Sequence, residues 1–293
     1  MASFSQGKVI LSGEHSVVYG QSAILASIGM GIEADISDGA FSESYKKDAY
    51  LQHILQLFCD FSGLKREKLK FALAIKADLP QKSGMGSSAV FACAVFSELA
   101  KFYQISLDRE QLYQLVLEAE NFVHGHSSGA DPAIVVYGGL IAFAKGKVEQ
   151  LVPSILASAT FFLIDSGAAS ESTGEMVAQV AQLRNHQTII SQIGSLTHDM
   201  LNDLQNSSFK PSLLSKNQLL LEKLGVVGAK AQDMVRQLQA WGADCKITGA
   251  GGVKTGSGYI LAHHPNPEQL NDKLKTNNWS YFSTQLGLRK ESI

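Results

Sequence analysis

Gly84-Met85-Gly86-Ser87-Ser88-Ala89 places two glycines and two hydroxyls in six residues. Before it, Leu69 to Ala77 reads as a largely buried strand. After it, Ser88, Ala92, Val95, Phe96, Leu99 and Phe102 recur at helical spacing. A glycine turn between strand and helix leaves backbone N–H groups converging at the positive end of a helix dipole. An anion belongs there, and a phosphate fits best. Glycine lets the backbone approach it closely, and the two hydroxyls can reach a phosphate oxygen or its Mg²⁺. The plainer alternative is a serine-capped helix after a turn. The spacing is not that of a Walker loop, which needs Gly, four residues, then Gly-Lys-Ser/Thr. A dinucleotide fingerprint is a weak rival: Ala89 stands at its third glycine, and no early strand with an acidic end follows.

Other chemistry-bearing residues lie elsewhere in the chain. Val9 to Leu11 reads as a strand running into a loop that carries Glu14 and His15 between Gly13 and Gly20. Such a pair is often only solvated, but loops that follow buried strands are where α/β proteins place binding groups. Asp108, with Gln111 three residues on, predicts a capped helix whose buried stripe is Leu112, Leu115, Val116, Ala119, Phe122 and Val123. Glu120 sits at the edge of that stripe. A carboxylate there needs a cation, a metal or hydrogen-bond donors, an Arg or Lys being the plain case. The loop His124-Gly125-His126-Ser127-Ser128-Gly129 then delivers Asp131. His124 and His126 lack an evident third ligand, so no metal is expected on them. Lys246 to Gly258 is a second glycine-rich loop. Two such loops suggest a nucleotide held in a cleft between domains. Ser88 and Glu120 are the natural pair for Mg²⁺, which needs only one or two protein oxygens beside phosphate and water. Asp131 could take the proton of a substrate hydroxyl, with a lysine nearby to stabilise the alkoxide. That inventory is phosphoryl transfer.

The elements that must position these groups follow from length and pattern. A chain of 293 residues predicts two domains, divided near Pro153 as 1–152 and 153–293. At 45% hydrophobic, 18% charged and a formal net charge of −2, no nucleic acid or anionic membrane is expected as a partner. Cys59, Cys93 and Cys245 are odd in number and far apart, which excludes a disulfide framework or zinc spacing and points to a reducing cytoplasm. No signal peptide is expected, and the apolar run Ile155 to Ile164 is too short to cross a bilayer. Ile32 to Tyr50 reads as a loop or short hairpin, Tyr50 to Gly63 as a helix, and Val135 to Ala144 as a strand pair or bent strand. In the second half, strands are expected at Ala159–Ile164, Tyr259–Ala262 and Trp279–Gln285. Helices fall at Glu175–Asn185, Ile189–Leu204, Pro211–Leu224, Ala229–Trp241 and Glu268–Lys275. The fold class is mixed, α/β or α+β.

Three of these segments resemble the signature motifs of the GHMP small-molecule kinases. Lys8-Val9-Ile10-Leu11-Ser12-Gly13-Glu14-His15-Ser16-Val17-Val18-Tyr19-Gly20 is very similar to the first motif in its mevalonate kinase form. Gly84 to Ala89 is like the second, and Lys246-Ile247-Thr248-Gly249-Ala250-Gly251-Gly252 looks like the third. Glu120 to Gly139, Asp165-Ser166-Gly167 with Ser172-Thr173, and Asn217 to Gly225 extend the resemblance over nearly the whole chain. It implies a two-domain GHMP fold with a ribosomal S5 domain 2-like N-terminal domain, a ferredoxin-like C-terminal domain and the active site between them. It implies ATP as co-substrate, Mg²⁺ on Ser88 and Glu120, Asp131 as base or orienting group, and Lys8 as stabiliser of the transition state. Lys82, Ser83, Gly84, Met85, Gly86, Ser87, Ser88, Gly249 and Gly251 would form the nucleotide site, and Glu14, His15 and Thr173 the substrate site. The implied reaction is phosphorylation of the C5 hydroxyl of mevalonate. The alternatives are another small alcohol or sugar, or a non-catalytic nucleotide- or ligand-binding sensor with this fold. A cytoplasmic homodimer is the implied state. The chain departs from the family pattern at Lys82, at Val253-Lys254-Thr255 and at Gly174.

Overall fold

Strands β1 (Ser3–Ser12) and β2 (Ala23–Ser37) form the spine of the first half. The computed structural model in which they appear describes residues 2–39, 43–80 and 84–289. β2 pairs antiparallel with β1 along most of its length and with β3 (Ala72–Ala77) through Ile32–Ser37. Its other end, Ala23–Ala26, pairs with β4 (Leu140–Ala144), and β5 (Lys147–Leu151) completes the sheet beyond β4. The short α1 (Glu43–Lys46) precedes α2 (Ala49–Ser62). α3 (Ser87–Phe102) and α5 (Ala130–Tyr137) lie on the sheet, while α2 and α4 (Arg109–His124) pack beside α3. The helices seal a core in which Leu11, Ile24, Leu25, Phe58, Phe96 and Phe143 are buried. Burial of side chains this size is worth about 2 kcal/mol each, the dominant favourable contribution to the fold.

The second half begins with a short helix, α6 (Ser154–Ala157), and β6 (Phe161–Asp165). Helices α7 (Thr173–Gln182), α8 (His186–Gln205), α9 (Ser212–Lys223) and α10 (Ala229–Ala240) follow. β7 (Asp244–Ile247), β8 (Tyr259–His263), α11 (Pro267–Thr276) and β9 (Tyr281–Thr284) complete it. The four strands form an antiparallel sheet in the order β7-β8-β6-β9. The two-residue period of a strand divides its side chains between two cores. Phe161, Leu163, Tyr259 and Leu261 join the apolar core of the first half. Phe162, Ile164, Ile260 and Ala262 pack instead with the second half's own helices around Ile247, Val180 and Leu270. One face of the second sheet therefore belongs to the core of the first half.

The structure corrects three local expectations. Ile32–Ser37 completes the long strand β2 rather than opening a loop or short hairpin: Ile32, Ala34 and Ile36 are buried and alternate with more exposed Glu33, Asp35 and Ser37. Val135–Tyr137 closes helix α5, which Gly129 starts and Gly138 ends. A short apolar run does not by itself distinguish a strand from a buried helix, and the flanking glycines decided this one. Lys246 and Ile247 belong to β7, so the second glycine loop begins only at Thr248. The Asp108–Gln111 capping box is present with both of its hydrogen bonds. Lys82 and Ser83 lie outside the described residues.

Candidate active site

Lys8 follows a bulge in β1: the β1–β2 register slips between Gln6 and Lys8. Bulges re-aim the side chain beside them. The Lys8 ammonium lies 3.0 Å from Asp131 Oδ1 and donates to the Gly84 carbonyl at 2.9 Å. Its side chain is 3% exposed, whereas that of Asp131 is 31% exposed. The pair thus has a buried cation and a carboxylate open to the cleft. Asp131 stands in the first turn of α5, where the helix dipole favours an anion.

The Gly84–Ser88 loop is held against both halves. Lys8 N donates to the Met85 carbonyl, and the Met85 side chain is fully buried in the core. Gly84 has a φ of +78°, and a methyl group placed on it would come 2.5 Å from the Thr248 carbonyl oxygen. That contact joins the two glycine loops, and only glycine permits it. Gly86 caps α3, and no side chain makes a capping hydrogen bond there. Serine capping is thus absent, and the first-turn N–H groups beside Gly86, Ser87 and Ser88 are left for a ligand or water.

Glu120 is buried on α4 with no lysine or arginine partner among the described residues. Its Oε1 accepts from the Tyr50 hydroxyl at 3.2 Å, and its Oε2 lies 3.4 Å from His124 Nε2. The same Tyr50 hydroxyl reaches the Ser88 carbonyl at 3.2 Å, so one side chain touches both expected metal-site residues. Burial, reinforced by Glu120, raises the Tyr50 pKa far above the ordinary value. The hydrogen bond to Glu120 raises that of His124 against its burial. Among the described residues no three His, Cys, Asp or Glu side chains cluster tightly enough to hold a metal by themselves. A buried carboxylate met by a tyrosine hydroxyl and a histidine but, among the described residues, by no lysine or arginine, beside Ser88 at an uncapped helix end, fits a cation shared with phosphate and water.

Glu14 and His15 sit where β1 meets the second half. The Glu14 carboxylate pairs with Lys246 and accepts from Asn217 Nδ2 at 3.1 Å. His15 adopts a φ of 60°, and its Nε2 bonds the Ala250 carbonyl at 3.0 Å. A carbonyl can only accept, so Nε2 carries the proton. Burial lowers the His15 pKa to about 4, and the ring is neutral at pH 7. From the second half, Ser172 caps α7 in a capping box with Glu175, which sets Thr173 in the first helical turn. Glu171 accepts from the Val253 and Lys254 N–H groups at 3.2 and 3.0 Å, tying the second glycine loop to the segment before α7.

These residues enclose one cleft of about 700 Å³. Lys8, Glu14, His15, Gly84, Gly86, Ser87, Ser88, Glu120, Asp131, Thr173, Gly249 and Gly251 all line it. Among the expected site residues that are described, Met85 alone does not. Lys8 is the one lysine in the described lining, which contains no arginine and five carboxylates: Glu14, Glu120, Asp131, Glu171 and Glu175. Sequence reasoning missed Tyr50, Lys246 and Asn217. Tyr50 lies at the start of an expected helix, but nothing local places that helix against Glu120. Lys246 opened a recognised glycine segment, but its buried partner lies 232 residues away.

The family model for the GHMP kinase N-terminal domain matches residues 49–139. A mevalonate kinase from Archaeoglobus fulgidus is 30% identical over 267 residues, covering 86% of this chain and 89% of that protein. One from Thermococcus gammatolerans is 30% identical, with 87% of each chain covered. Among solved structures, the mevalonate kinase of Methanococcus jannaschii superposes with a TM-score of 0.83 at 21% identity, over 98% of both chains. A galactokinase from Lactococcus lactis bound to galactose gives 0.78 at 18% identity, over 100% of this chain and 95% of that one. The structural matches establish the two-domain fold, and the sequence matches establish kinship. The chain belongs to the GHMP kinase family, alongside its mevalonate kinases, and is an ATP-dependent small-molecule kinase.

Proposed function

We propose that this protein transfers the γ-phosphate of ATP to the C5 hydroxyl of mevalonate. The observation that carries the reading is the Lys8–Asp131 pair, 3.0 Å apart, with both side chains beside Gly86 at the uncapped start of α3. In this reading the polyphosphate lies on the N–H groups of the Gly84–Ser88 loop and the α3 terminus, and Gly249 and Gly251 close over it from the second half. Asp131, the open member of its pair, orients the substrate hydroxyl and accepts its proton as the oxygen attacks. Lys8, held by Gly84, stabilises the negative charge that develops on that oxygen. Glu14, His15 and Thr173 contact the rest of the substrate. Ser88 and Glu120 would hold Mg²⁺, which when bound neutralises phosphate charge and orients the transferring group. The five lining carboxylates support a cation requirement, since bare triphosphate would meet mostly negative charge.

The reading also takes residues 1–152 and 153–293 as the two domains and the protein as cytoplasmic, with no nucleic-acid or membrane partner. Among the described residues no helix is long and apolar enough to cross a membrane. It includes a homodimer, checked by light scattering. The test of function is ADP release with MgATP and R-mevalonate, run beside galactose, homoserine and phosphomevalonate. Turnover on mevalonate alone is expected. Asp131→Asn should lower kcat by about 10²–10⁴-fold, the usual worth of a positioned acid or base, while leaving ATP binding intact. Nucleotide binding without turnover on any acceptor would overturn the substrate assignment in favour of an untested alcohol or a sensor.

A further inference from the structure

Lys246 is fully buried, and nothing in the proposed reaction uses it. Its ammonium reaches across from β7 to the first half, where it donates to the Ile10 carbonyl at 2.9 Å and to the Glu14 carboxylate. Two residues on, the Thr248 hydroxyl accepts from Ile10 N at 2.9 Å. Both backbone groups of Ile10 are therefore held by side chains of the second half. Ile10 lies two residues after Lys8 on β1, and Lys8 holds the Gly84 carbonyl. Gly84 in turn packs against the Thr248 carbonyl, on the strand-to-loop turn that Lys246 enters. The contacts close a ring: Lys246, Ile10, Lys8, Gly84, Thr248 and back to Lys246.

We propose that Lys246 is a positioning residue that sets the register of β1 against the second glycine loop, so that Lys8 and the two phosphate-facing loops meet at the spacing transfer requires. The proposal rests on the kinase reading above. A buried ammonium suits this task, because both its charge and its donors must be satisfied at fixed points in a dry interface. A slip of a single ångström between Lys8 and the opposite loop would misalign the phosphoryl group and the acceptor.

A buried charge also contributes to stability, so the test must separate the two roles. Lys246→Met leaves Glu14 buried and unpaired, and its thermal midpoint should fall. The double variant Lys246→Met with Glu14→Leu removes both charges and should regain most of that midpoint. Because Glu14 also lines the cleft, the comparison is with Glu14→Leu alone: kcat of the double variant should stay at least about tenfold below wild type and below that single variant, as misplacement of reacting groups predicts. Thr248→Val, which alters no charge, should stay folded and lower kcat by several-fold with little change in the KM for mevalonate. A folded double variant no slower than Glu14→Leu, or wild-type kcat in Thr248→Val, overturns the proposal. If neither Lys246 variant folds, Thr248→Val decides alone. Affinity for a non-hydrolysable ATP analogue is measured on the same preparations. Wild-type protein that binds the analogue but turns over no acceptor refutes the substrate reading instead. The register is then judged by whether Thr248→Val weakens analogue binding several-fold, and unchanged affinity overturns it.

Discussion

Tyr50 shows how a neutral side chain can serve a charged site. Its hydroxyl is shared between the Glu120 carboxylate and the Ser88 backbone carbonyl, each at 3.2 Å, so it orients the carboxylate of one residue expected to hold the cation and anchors the backbone of the other. Partners of this kind typically contribute 10–100-fold in metal affinity. Tyr50→Phe should therefore raise the Mg²⁺ concentration for half-maximal ADP release by roughly tenfold or more, with kcat at saturating Mg²⁺ much less affected. A magnesium titration of both proteins checks this. His15 supports a prediction in pH. Its pKa lies near 4 in the fold against 6.5 for an ordinary histidine, so the fold favours the neutral ring. That preference contributes fully above pH 6.5 and is lost as pH falls from 6.5 through 4, at up to about 1.4 kcal/mol per pH unit. Urea midpoints measured across this window should fall more steeply for wild type than for His15→Gln.

At the scale of elements, the loops are set by steric contact as much as by hydrogen bonds. Gly84→Ala puts a methyl group 2.5 Å from the Thr248 carbonyl oxygen in a left-handed backbone conformation. A strained position of this kind costs on the order of 1–3 kcal/mol. The substitution should lower the thermal midpoint and raise the KM for ATP, read by calorimetry and by ATP-dependence of turnover. The sequence reveals much at this scale where the signal is local. The Asp108–Gln111 box, the helix after Ser88 and the strand Tyr259–Ala262 could be read from neighbouring residues alone. Glu120 was recognisable as a carboxylate needing a partner. That its partners are Tyr50 and His124 depends on how α2 packs beside α4, which no local pattern specifies. Ile32–Ser37 carried a period-two alternation, but the polar alternate residues made it resemble a loop. The Glu14–Lys246 pair was hidden for the opposite reason: each residue sits in a recognisable segment, and only the assembled fold brings them together.

At the scale of the whole molecule, the division into two halves is cleaner in the strand order than in the core. Phe161, Leu163, Tyr259 and Leu261 on one face of the second sheet pack into the core of the first half. Removing that face from its partner would expose large apolar side chains at about 25 cal/mol per Å². The two halves should therefore unfold together, as a single calorimetric transition whose van't Hoff and calorimetric enthalpies agree. MgATP at about a hundred times its dissociation constant should stabilise that one transition by about 2.7 kcal/mol. Two resolved transitions, only one of them shifted by nucleotide, would contradict the shared core. The chain's three cysteines are all free, and all are buried. Burial drives the Cys93 thiol up to about 11, well away from its reactive form at neutral pH. Folded wild-type protein should thus be nearly inert to maleimide dyes. A cysteine introduced on an exposed helix of each half could take a donor and an acceptor without a cysteine-free background, and the distance between the halves with and without nucleotide could be read by energy transfer in otherwise native protein.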